Sequence, residues 1–61
     1  MNQRQLELIE QLEILQTIID FHVTNKDRLW QNQKDFEDYI NDILDQMNEA
    51  KAELKELGYY N

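Results

Sequence analysis

The sequence predicts an all-α protein, a helical hairpin of two antiparallel helices that associates as a homodimeric helical bundle. Three observations carry this. Proline is absent and the only glycine is Gly58, so no residue forces a break earlier in the chain. Apolar residues recur at steps of three and four in both halves. The first half also carries a second apolar strip, which one neighbouring helix cannot cover.

Helix 1 is expected over residues 3–23. Asn2 followed by Gln5 has the spacing of a capping box, in which each side chain satisfies the other residue's free backbone donor. Leu8, Leu12, Leu15 and Ile19 then fall on one heptad phase, flanked by Ile9 and Val23. Ile14, Ile18 and Phe21 form the second strip, rotated away from the first.

A turn is expected at 24–26, within HVTNKDR. Thr24, Asn25 and Asp27 are poor helix formers, and either Thr24 or Asn25 could cap the second helix, with Asp27 favoured in its first turn by the helix dipole. A continuous helix competes with the turn, because the heptad phase runs unbroken from Leu8 to Leu57. That helix would be a rod about 80 Å long. The hairpin is preferred because Ile9, Ile18, Val23, Trp30, Tyr39 and Leu44 widen the stripe beyond what a two-stranded coil needs.

Helix 2 is expected over 27–57, completing a single domain, 1–61. Leu29, Phe36, Ile40, Ile43, Met47, Ala50, Leu54 and Leu57 form its seam, interrupted only at Gln33. Gly58 is placed to close the helix in the left-handed conformation, with Tyr59 folding back on Leu54 as in a Schellman cap. So short a chain, with no cysteine for a disulfide, rarely gains more than about 3–5 kcal/mol from its own core. Self-association is the expected remedy. Its interface would draw on Leu8, Leu12, Ile14, Leu15, Ile18, Ile19 and Phe21 of helix 1, with Phe36, Ile40, Ile43 and Met47 of helix 2.

Composition narrows the chemistry. Serine and cysteine are missing, and there are only two threonines and one histidine, so the usual nucleophile and base arrangements are not available and no enzymatic role is expected. His22 lacks the Glu three residues earlier that di-metal bundles use. It reads as a polar interruption sharing a hydrogen bond with the turn, and neither metal nor cofactor is expected. A net charge of −7 repels phosphate backbones and anionic membranes, so direct binding to nucleic acid or membrane is not expected. The absence of cysteine and of a membrane-length apolar run suits the cytoplasm.

The charge is concentrated. DFEDYINDILDQMNE, residues 35–49, holds six acidic side chains and no basic one. At helical period Asp35, Asp38, Asp42, Asp45 and Glu49 fall in one row opposite the seam, and Glu56 continues it. A solvated face is the plainest use of such a row. Recognition of a basic surface on another protein is the functional use, with these five residues and Tyr60 as the partner-binding set.

The expected role is thus a small acidic inhibitor or regulator that binds a basic site on a partner protein. A short chain opening on its own methionine, without an enzyme or receptor module, resembles in kind the products with which phages and mobile elements block host nucleic-acid-handling or defence enzymes. In that setting it would act in the host cytoplasm. The alternative is a structural coiled-coil adaptor that binds through its apolar heptad seam.

Overall fold

The computed structural model describes residues 2–59. Three helices occur in order: α1 (Gln3–Thr24), the single turn α2 (Lys26–Leu29) and α3 (Gln33–Glu56). The two long helices pack antiparallel, and the chain measures 41 × 16 × 15 Å. A continuous helix would be about twice as long. The hairpin is the observed form.

Both ends carry the predicted caps. Asn2 and Gln5 exchange side-chain-to-backbone hydrogen bonds of 3.0 and 2.8 Å, completing the capping box of α1. At the other end Gly58 takes φ 85°, while Tyr59 N–H donates to Leu54 and Gly58 N–H to Lys55. That is the paired pattern of a Schellman motif, and it satisfies carbonyls that α3 leaves open.

The connection between the long helices differs from the predicted turn. Helix 1 ends within a residue of the expected place, but the second long helix begins at Gln33 rather than at 27. Asn25 interrupts the first helix at φ −106°, ψ 20°, and its side chain folds back to donate to the Phe21 carbonyl at 2.8 Å. Trp30 and Asn32 are extended. Asn25 makes no side-chain cap for α2, and Thr24 closes α1. The cap of α3 is Asn32, whose Oδ1 accepts from the backbone of Lys34 at 2.8 Å and Asp35 at 3.2 Å. Leu29, placed in the seam by its phase, lies on α2 and is 43 % exposed.

Inside the hairpin the core forms two layers. Leu8, Ala50 and Leu54 pack near the chain ends, with Ile9 and Leu12 against them. Leu15, Ile43 and Met47 form the middle, joined by Leu12, Ile18, Ile19 and Tyr39. A third, aromatic layer closes the connection. His22 lies 4.8 Å from Tyr39 and 5.7 Å from Trp30 between ring centroids, and Trp30 touches both Phe36 and Tyr39. The Trp30 indole N–H donates to His22 Nδ1 at 3.0 Å, so Nδ1 is an acceptor and carries no proton here. Lys26 caps this layer with its ammonium 5.2 Å from the Phe36 ring. These contacts hold residues 30–32 out of the helix.

Candidate protein-binding face

The acidic row is positioned by α3. The Asn32 cap starts that helix so that Asp35 falls in its first turn, where the positive end of the helix dipole favours a carboxylate. From there Asp38, Asp42, Asp45 and Glu49 continue at helical spacing, all exposed, while Ile43, Met47, Ala50 and Leu54 turn inward. From Asp35 to Glu49 the row rises about 21 Å. The sequence reading of this helix as two opposed faces therefore holds.

Basic residues leave most of the row alone. Lys34 reaches Asp38 at 2.9 Å, and that hydrogen bond, together with the Asp38 charge, raises the lysine above its ordinary value. Among the described residues no ion pair reaches Asp35, Asp42, Asp45 or Glu49. The arginine of α1 is used elsewhere. Arg4 grips Glu53 with two nitrogens, Nη2 at 2.8 Å from Oε1 and Nε against Oε2, and it also reaches Glu7 at 3.5 Å. The hydrogen bond from Arg4 holds the Glu53 carboxyl below its usual range, against a smaller opposing effect of desolvation. Gln5 adds a second tie between the ends, donating to the Leu57 carbonyl at 2.9 Å.

The aromatic candidates divide. Trp30 and Tyr39 are half-buried in the ring cluster and serve packing. His22 plays the expected part of a hydrogen-bond partner for the connection. Tyr60 lies outside the described residues. No group of three or more His, Cys, Asp or Glu among the described residues is placed to hold a metal ion. Among the described residues, no helix is long and apolar enough to cross a membrane.

The predicted interface residues also separate into two sets. Leu8, Leu15, Ile43 and Met47 are buried between the helices of one chain, with Leu12, Ile18 and Ile19 packed beside them and Phe36 and Ile40 half-buried. Ile14 and Phe21 are 56 % and 52 % exposed on the outer side of α1. Periodicity alone carries no hint of the Arg4–Glu53 pair, because it joins residues 49 apart whose only local signal is one arginine in an acidic stretch.

No protein-family model matches this chain, and no curated protein or solved structure does either.

Proposed function

We propose that this protein is a non-catalytic binding module, a hairpin that pairs with a second copy and engages a basic site on a partner protein through the acidic face of α3. One observation supports this above the others. Asp35, Asp42, Asp45 and Glu49 form a straight exposed row to which no basic side chain among the described residues is paired. Such a row attracts Lys and Arg on a partner at long range and fixes register at contact.

The geometry of the row points to a kind of partner. Negative groups spaced along a rigid rod about 21 Å long present a nucleic-acid-binding groove with charges it already accommodates. An inhibitor or regulator of a host enzyme that handles nucleic acid is the specific form of the proposal, acting in the cytoplasm, with a phage or mobile element as its source. The coiled-coil adaptor reading has less support, because the seam it requires is occupied by the chain's own second helix.

The test is capture of the partner from a host lysate, followed by affinity measurement with Asp38→Asn, Asp42→Asn and Asp45→Asn combined. The three side chains are exposed, so the helix content should survive while affinity is lost, and wild-type affinity should fall as salt rises. A triple variant that binds as wild type rejects the acidic-face mechanism.

A further inference from the structure

We infer that two copies of this chain pair antiparallel through the outer face of α1, with the two-fold axis passing between Thr17 and Ile18. This rests on the dimeric part of the proposal above and specifies its geometry. Among the described residues nothing packs over Ile14 and Phe21 within the hairpin. Glu10, Glu13, Ile14, Thr17 and Ile18 line an open groove of about 390 Å³ on it, and Phe21 stands exposed one turn further along.

The spacing along this face mirrors itself. Ile14 and Phe21 lie equally far from the point between Thr17 and Ile18, as do Glu10 and Asn25, and Glu7 and Arg28. Asn25 N–H closes the last turn of α1 on the Phe21 carbonyl, and Arg28 Nη2 lies 2.7 Å from Asn25 Oδ1. The Arg28 guanidinium is therefore held against the Asn25 side chain, which itself folds back on Phe21, at the end of this face. In an antiparallel pair each Phe21 meets Ile14 of the other copy at the groove, and Arg28 comes to Glu7 and Glu10 of the other copy. A parallel pair would instead set Glu7 on Glu7, Glu10 on Glu10 and Arg28 on Arg28. Charge complementarity thus selects a second copy as the occupant, and selects its direction.

The chain lacks cysteine, so a single spin label at Gln3→Cys is clean. Gln3 is exposed, and among the described residues its side chain makes a single long hydrogen bond, of 3.5 Å to Glu7. The labelled protein is studied at a chain concentration of about 100 µM, where a micromolar complex is largely formed. Sedimentation should show a dimer. The two labels should lie about 44 Å apart along the helix axis, and Ile14→Glu should return the protein to a monomer with unchanged helicity. A dimer with labels about 10 Å apart, the separation of parallel packed helices, overturns the antiparallel arrangement but leaves the dimer standing. A dimer that survives Ile14→Glu overturns the placement of the interface. A wild-type monomer overturns both the arrangement and the dimer it rests on.

Discussion

Leu54→Ala should come close to unfolding the protein. Leu54 has no exposed surface and packs in the layer with Leu8 and Ala50. Truncation removes three carbons, worth about 2.4 kcal/mol of transfer free energy at ~0.8 kcal/mol each. A cavity penalty adds to this wherever the neighbours fail to close up, and buried Leu→Ala changes span about 2.7–5 kcal/mol. The layer lies near the open end of the hairpin, beside the Schellman turn, so partial collapse is available and about 3 kcal/mol is the expected loss. A chain of this size holds about 3–5 kcal/mol in all. The assay is urea unfolding monitored by helical circular dichroism, run beside Ile14→Ala as the control. Ile14 is 56 % exposed, so at concentrations low enough to exclude association its truncation should cost less than about 1 kcal/mol. Equal losses for the two variants, or a loss below about 1 kcal/mol for Leu54→Ala, would refute the layered core.

The caps and the ion pair yield further outcomes. Asn32→Ala removes the acceptor for two free backbone donors at the start of α3, so it should cost about 1 kcal/mol in the same unfolding assay. Asn32→Asp should keep most of that stability, since the carboxylate oxygen accepts the same bonds. Glu53 titrates below its usual value in the folded chain because Arg4 holds its charged form. Its contribution is therefore present above the unfolded value of about 4.3 and is lost as pH falls through the lower folded value. The melting temperature of wild type minus that of Glu53→Gln should shrink over that acidic window and stay constant above it. A difference that is flat down to about pH 2 would show the pair to be without effect on folding.

The seam was legible because burial on one side of a helix leaves the same trace in every sequence, steps of three and four. Ile43, Met47, Ala50 and Leu54 are buried where that pattern placed them. The end caps were legible for a similar reason, since Asn2–Gln5 and Gly58 act through bonds only a few residues long. The connection was not. Leu29 keeps the heptad phase although it lies outside the long helices, and Asn32 looks in sequence like any polar residue between Gln31 and Gln33. What breaks the helix at Trp30 is a set of contacts with His22 and Tyr39, residues eight and nine positions away in either direction. Local pattern reports propensity, and here tertiary packing overrode it.

The acidic row was legible as a position, but its energetic meaning needed the pairing. Adjacent members at steps of three and four repel by a few tenths of a kcal/mol per pair, which sums to about 1 kcal/mol from Asp35 to Glu49. That is a sizeable share of what so small a core supplies. Lys34 relieves only Asp38, while Arg4, which bridges the two long helices, is committed to Glu53 and Glu7 at the chain ends. Exchanging Asp42 or Asp45 for lysine would remove the repulsion in the two neighbouring pairs that residue makes and leave the seam untouched, because both side chains are exposed. A row kept at that cost, on the face of α3 turned away from the core, is what a basic partner would offset. The stability of the free protein and its affinity for such a partner should therefore move in opposite directions as Asp42, Asp45 and Glu49 are neutralised one by one, the three members that neither Lys34 nor the helix N-terminus favours.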